Sequence, residues 1–360
     1  MERKATATAH PNLAFVKYWG RANADLNIPQ NSSISVNLSS ATTTTSVAFL
    51  ESLNSDVVKI NGRVSRDLRV SHHLDRIRQL AGINENASVE SWNDFPASAG
   101  IASSASGFAA LSLAASKAAG LDLDERQLSI LARKGSGSAC RSIPDGFVEW
   151  VAGTNDGDSY ARQVAPPDHW DIRIFTVIVD EGEKPISSSK GHQYAETSPF
   201  YHARLAAVPR TLHDLRQALL CRDFSSFGKI IEREAVAMHC VAMTSDAANY
   251  EWLSGIYYWQ PATVHMVRTV QTWRRQGLEV YFTIDAGRKF PQKVVPLEAV
   301  FIVILFWKCA QSPHPQEGGI VAVVVERWIV WAGTLFVAVH TIHRLPLCSL
   351  LPFRPGTLDI

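Results

Sequence analysis

Cysteine is scarce in this chain, and each one stands alone. The 360 residues hold five cysteines and no Cys-x-x-Cys pair, which argues against a zinc site or a disulfide framework and fits a reducing cytosol. The twelve histidines include no His-x-x-x-His or His-Glu pairing, so metal ligation by histidine is not expected. Neither sign of charge is in excess. Thirty-five basic residues against 34 acidic ones leave a net +1, too little to draw the whole chain to nucleic acid or an anionic membrane, so any anion site must be local. Met1 to Ala5 lacks an apolar signal core. The apolar runs at Ala299–Trp307, Ile320–Val325 and Trp328–Val339 are each shorter than the roughly 18 residues of a membrane span. A cytoplasmic protein with no nucleic-acid or membrane partner is expected.

What is present is a globular composition, 46% hydrophobic and 19% charged, on a length that suits roughly two or three domains. Ser33 to Leu38 alternates polar and apolar, and Thr42 to Leu50 is rich in β-branched residues; both read as strands. Val57–Arg63, Ala87–Trp92, Gly146–Val151, Ile174–Val179 and Leu278–Ile284 read as further strands, with Ile174–Val179 central. Helical spacing covers Leu74–Leu80, Phe108–Ala115, Asp124–Arg133, much of Phe200–Met243, and Val264–Gln276. The mixture predicts an α+β fold with a boundary near residues 165–185.

Five places hold residue types suited to chemistry. Asn93 to Gly107 is a small-residue loop, with Gly100 and several serines, running into an alanine-rich helix. Such a helix start presents free N–H groups and suits a phosphate; an ordinary serine cap reads equally well. The stretch has neither of the common glycine-rich nucleotide motifs. Lys17 follows a run of apolar residues and precedes two aromatics. By itself it reads more readily as a surface lysine than as a point charge aimed at an anion. Asn31-Ser32-Ser33 reads as a capping turn. Gly135–Ser142 combines flexibility, hydroxyls and Arg141, a guanidinium suited to carboxylate or phosphate; a plain surface loop is the rival. Asp285 ends a strand beside Ala286-Gly287, a good place for a base or simply the start of a turn.

Taken in order, Asn12–Gly20, Asn31–Ser33, Phe95–Gly107, Gly135–Ser142, Gly146–Trp150, Glu196–Pro199 and Thr283–Gly287 resemble the mevalonate diphosphate decarboxylase family of the GHMP kinase superfamily. The resemblance covers about residues 5–287. It implies a ribosomal-S5-like N-terminal domain over 1–175 and a ferredoxin-like C-terminal domain over 176–287, with the site in the cleft between them. It implies ATP with Mg²⁺, the metal bound through ATP. The implied reaction is 3-phosphorylation of a phosphorylated mevalonate, then loss of phosphate and CO₂ to give an isopentenyl product. Asp285, Lys17 and Arg141 are implied as catalytic, Arg141 holding the substrate carboxylate. Asn12, Tyr18, Arg21, Ser136 and Ser138 are implied in substrate binding. Pro96, Ser98, Gly100, Ser103, Ser104 and Ser106 are implied in ATP binding. A homodimer is common in the family. Ile143–Gly146 and Gly255–Thr263 look closer to the phosphomevalonate decarboxylase branch, which uses the monophosphate.

Residues 288–360 do not resemble the family. Only four of the 34 acidic residues fall there, and Arg288-Lys289-Phe290 stands where the family has Pro-Asn and further elements. The change reads as a frameshifted segment, which resequencing of the locus checks, and it implies a second domain incomplete or altered after 287. Two other readings of the chain are a small-molecule kinase that stops at phosphorylation, such as a mevalonate 3-kinase, and an inactive remnant.

Overall fold

Strict alternation along Thr43–Leu50 buries Thr43, Thr45, Val47 and Phe49 and leaves the intervening residues half-buried, the signature of a strand with one face on the core. The computed structural model describes residues 3–95, 103–178, 186–247 and 254–286, together with the backbone of 301–307 and 337–338. The order begins β1 (Arg3–Ala9), β2 (Asn12–Val16), β3 (Arg21–Asn23), β4 (Ile28–Pro29), β5 (Ser33–Asn37), β6 (Thr43–Leu50), β7 (Val57–Ile60), β8 (Arg63–Val64), α1 (Leu68–Ala81) and β9 (Asn86–Asn93). It continues with α2 (Ser103–Ala118), α3 (Glu125–Gly135), β10 (Phe147–Trp150), β11 (Ala161–Ala165) and β12 (Ile172–Ile178). The helices α4 (Ser188–Tyr194), α5 (Tyr201–Cys221), α6 (Phe224–Met243) and α7 (Pro261–Arg275) follow, then β13 (Val280–Ile284), β14 (Phe301–Trp307) and β15 (Val337–Ala338). This is the expected α+β mixture.

Local chemistry sets the helix ends. Asp67 caps α1 by accepting the Arg69 N–H at 3.0 Å, so the helix begins at Leu68, ahead of the Leu74 read from spacing. Asp124 caps α3 in a reciprocal box with Gln127. Gly135–Ser138, expected as a loop, instead leads into a short 3-10 helix over Gly137–Ser142. The Ala139 N–H reaches the Ser136 carbonyl at 2.8 Å, which tightens the chain and brings Arg141 inward.

The first sheet runs β1-β6-β9-β7-β8 and the second β11-β10-β5-β2. Helices α1 and α2 cover the first through Leu74, Ile77, Phe108 and Leu111 against Val47, Phe49 and Val89. The second sheet packs on α5 and α6: Phe15 and Ile34 join Val208, Leu215, Leu219 and Phe227 in one core. Phe15 and Phe227 meet edge to face at 4.9 Å, a geometry worth about 1 kcal/mol beyond area burial. The third sheet runs β13-β14-β12-β15 and lies against α6 and α7 through Val177, Ala235, Val270 and Phe282. Helix α6 therefore touches both the second and the third sheet, so its side chains bridge the two halves.

Ile172–Ile178 is interior to its sheet, as its apolar run suggests. The whole strand pairs there, including the residues before 176. The run Phe301–Trp307 pairs antiparallel with both β12 and β13 and so lies inside the sheet. The segment beyond 287 thus supplies a strand to the second half. The rest of the frameshift reading lies outside the described residues. Among the described residues, no helix is long and apolar enough to cross a membrane.

One buried polar contact in this scaffold makes stability depend on pH. The Ser112 hydroxyl donates to the Phe108 carbonyl at 2.7 Å, so it accepts from His73 Nε2 at 2.8 Å. His73 Nδ1 then has no partner among the described residues, and burial, helped by Arg76 and Lys134, pushes this imidazole down to about 3. The unfolded ring titrates near 6.5. Above that pH both states are neutral and stability is complete. As pH falls from 6.5 toward about 3, only the unfolded chain takes up the proton, and about 1.4 kcal/mol is lost per pH unit. Urea unfolding at pH 7 and pH 5 should show a drop about 2 kcal/mol larger for the native chain than for His73→Gln.

Candidate active site

Three residues far apart in sequence meet at one cavity of about 160 Å³, which Lys17, Arg141 and Asp285 help to line. Lys17 stands just past the end of β2 and is only 4% exposed. Its Nζ donates to the Ala14 carbonyl at 2.9 Å and to Asp285 Oδ1. Asp285 follows β13 directly, and His239 on α6 contacts the Ile284 carbonyl at 3.2 Å. The Asp285 carboxylate is 39% exposed, so it opens to the cavity while its partner ammonium is buried.

The backbone of Lys17 is held as firmly as its side chain. Glu234 Oε1 on α6 accepts the Lys17 N–H at 3.2 Å, and Arg204 on α5 donates to the Lys17 carbonyl at 2.6 Å. Arg204 and Glu234 also pair with each other, both nearly fully buried. Asn31 adds a donor to the same carbonyl at 3.1 Å, so the expected capping turn at Asn31 in fact steadies Lys17.

Arg141 is buried at the other wall. Its Nε donates to Asn12 Oδ1 at 3.1 Å and its Nη1 to Ser33 Oγ at 2.7 Å. Asn12 is oriented by donating to the Ser138 carbonyl at 3.0 Å and Ser142 Oγ at 2.8 Å. Burial pulls the Arg141 guanidinium below its usual value, and the neighbouring Cys140, Tyr18 and Asp285 oppose that shift. Its acceptors among the described residues are neutral, which leaves the cation without a counter-charge from them. An anion in the cavity would supply one.

Tyr18 lines the cavity between Arg141 and a histidine. Its ring stacks on His192 at 4.4 Å, and burial pushes its phenol up against the opposing influence of Arg21 and Arg141. Ser138 also lines the cavity, whereas Ser136 does not; Ser136 Oγ lies 3.4 Å from Ser104 Oγ. Arg21 sits on β3 outside the lining.

Ser104, at the start of α2, borders this cavity and also a second one of about 140 Å³. The second is walled by Val58, Ile60, Val70, Phe108 and Leu111, with Ser103 and Asn93 at its polar side. Ser106 reaches neither. It is fully buried and bonded to Thr43 Oγ1 at 2.7 Å, because its face of α2 packs on β6. Pro96, Ser98 and Gly100 lie outside the described residues.

Sequence reasoning missed Arg204, Glu234, Met238 and His192. The last two line the cavity, as Ser188 does, and the first two hold Lys17. Each touches the site only through contacts between distant parts of the chain, such as His192 with Gly20, 172 residues apart. No spacing motif marks them. Ser187, next to Ser188, is the N-cap of α4.

Residues 9–161 match the diphosphomevalonate decarboxylase-like N-terminal domain, and residues 174–295 the mevalonate 5-diphosphate decarboxylase C-terminal domain. The diphosphomevalonate decarboxylase of Candida albicans is 36% identical over 79% of this chain and 82% of its own length. The phosphomevalonate decarboxylase of Haloferax volcanii is 33% identical over 79% of this chain and 86% of its own. A crystal structure of mevalonate diphosphate decarboxylase from Staphylococcus aureus superimposes with a TM-score of 0.80 at 31% identity, over 94% of this chain and 95% of that one. A structure of MDDEF in complex with MVAPP, AMPPCP and magnesium gives 0.79 at 33% identity, over 94% and 96%. Two family domains, over 9–161 and 174–295, relatives matched over four-fifths of their own length, and a shared fold point to one family. The chain belongs to the mevalonate diphosphate decarboxylase family.

Proposed function

We propose that this protein phosphorylates the tertiary 3-hydroxyl of a phosphorylated mevalonate with ATP and then releases phosphate and CO₂, leaving an isopentenyl phosphate or diphosphate. The observation that carries the reading is a buried arginine with neutral partners facing a lysine–aspartate pair across one cavity. Arg141 fixes the substrate carboxylate. Asp285 takes the hydroxyl proton as the oxygen attacks the transferring phosphoryl group, and Lys17 pairs with the aspartate and offsets charge on that group. The 3-phosphate then departs, positive charge builds at the tertiary carbon, and the carboxylate's C–C bond electrons form the new double bond as CO₂ leaves. Preparing the leaving group and holding both reactants in line are what the site contributes.

ATP fits the second cavity. Its apolar walls suit a base, and the start of α2 with Ser103 and Ser104 lies between the two cavities, where phosphates would bridge them. Mg²⁺ would arrive on the ATP phosphates and neutralise their charge. The division between the two halves lies near 165–171, before β12. The relatives include enzymes named for the monophosphate and for the diphosphate, so the test offers ATP with mevalonate, its monophosphate and its diphosphate and measures ADP and CO₂ together. Equal release of both from a phosphorylated mevalonate is expected. ADP without CO₂ makes the protein a kinase, and no product from any of the three overturns the proposal.

A further inference from the structure

His192 is a buried imidazole inside the cavity to which the reaction above gives no part. It lies on α4, 8% exposed, and forms part of the cavity wall beside Tyr18 and Trp19. The ring is clamped. Tyr18 stacks on it at 4.4 Å with an interplanar angle of 14°, and Trp19 tilts against it at 4.6 Å. Helix α4 is close enough to Trp19 that a Cβ on Gly191 would sit 2.9 Å from the indole.

The tautomer follows from one contact. The Gly20 N–H lies 3.0 Å from His192 Nδ1. A backbone amide can only donate, so Nδ1 is the acceptor and the ring proton is on Nε2. Gly20 holds φ at +92°, and a Cβ there would meet the Tyr201 hydroxyl at 2.0 Å. A residue with a side chain could not place this amide under the ring without moving Tyr201. Burial, with Arg21 and Arg204 adding to it, keeps the ring well below 6.5, so at neutral pH it is a neutral donor.

The surroundings say what this donor is for. The Arg21 charge acts on both Tyr18 and His192, and Arg141 lies 6.0 Å from the centre of the Tyr18 ring. A second cation beside these arginines would repel them; a neutral N–H adds a hydrogen bond to an anion without that penalty. Arg141 and Asp285 occupy the carboxylate and hydroxyl ends of the substrate, which leaves the Tyr18 side for its phosphate.

Resting on the reaction proposed above, we infer that His192 is a substrate-binding residue whose Nε2–H donates to the phosphate end of the phosphorylated mevalonate and so helps the site select phosphorylated over unphosphorylated mevalonate. The Gly20 amide is its positioning group.

The test compares His192→Phe, which keeps the stack on Tyr18 and removes both nitrogens, with His192→Gln, which returns an N–H donor near Nε2. Calorimetric binding of mevalonate 5-phosphate and of mevalonate is measured without ATP, and the KM for ATP by turnover. His192→Phe should weaken the phosphorylated ligand about ten- to a hundredfold, leave mevalonate and the KM for ATP within about twofold, and keep the native melting temperature. His192→Gln should recover part of the loss, and it carries the test if the phenylalanine variant does not fold. Equal weakening of both ligands, or no weakening of either, overturns the inference. If the native chain binds mevalonate 5-phosphate and His192→Phe weakens it, but no ADP or CO₂ forms, the inference holds and the reaction fails. If the native chain binds no phosphorylated mevalonate, both fail.

Discussion

Asp285→Asn should lower kcat by about 10²- to 10⁴-fold, the range for loss of a positioned general base. The change keeps the shape and removes the charge. The amide cannot take the hydroxyl proton, and Lys17, 4% exposed, loses its carboxylate partner. That carboxylate aims the Lys17 Nζ at the reacting centre, so the lysine's help to the transferring phosphoryl group falls as well. Substrate affinity should change little, because Arg141 with its Asn12 and Ser33 contacts is untouched. Stability should change by no more than about 1 kcal/mol, since the Asp285 carboxylate is 39% exposed and such pairs are screened by solvent. Single-turnover measurement of ADP and CO₂, with a thermal melt beside it, separates these effects. A kcat within about threefold of native would remove Asp285 from the reacting centre.

Glu234→Leu should cost about 3–5 kcal/mol of stability, because it strips a fully buried pair of one partner. Arg204 is placed to make that loss severe. Its Nε and Nη1 already have no partner among the described residues, so the guanidinium would be left with the Lys17 carbonyl at 2.6 Å and no counter-charge. The double variant Arg204→Met with Glu234→Leu should recover most of that stability, since apolar residues of similar volume replace buried pairs well. It should not recover activity. The Lys17 N–H loses its acceptor and the Lys17 carbonyl its charged donor, so the ammonium no longer has a fixed approach to Asp285. Urea unfolding and kcat measured on the single and double variants decide the point. A double variant that is both stable and fully active would show that the pair serves the fold alone.

The local pieces of this architecture were legible in the residues. Alternation marked β5, β-branched residues marked β6, and helical spacing marked α3 and α5 to α7, because side-chain period and propensity depend on neighbours in the chain. Lys17, Arg141 and Asp285 each had a plain local rival, a surface lysine, a surface loop and a turn, and it was the ordered resemblance around them that singled them out and named the family. Ser103 and Ser104 were placed at a helix start for the same local reason. Ser106 was not separable from them by sequence, since three serines in one turn look alike until a strand packs on one of them.

Tertiary structure alone decided how these charges are paired and held. Lys17 and Asp285 are 268 residues apart, and nothing in either segment specifies the other. The pair exists because Phe15 and Phe227 lock β2 to α6 while β13 packs on the same helix. Arg204, Glu234 and His192 are single polar residues on helices, and such residues are usually solvated. They became part of the site only because α4, α5 and α6 turn them toward the end of β2. Sequence thus determined the family, the elements and the three central groups; packing determined which buried charge finds which partner. An ion pair depends on distance in space and on exclusion of water, and neither is a property of a linear segment.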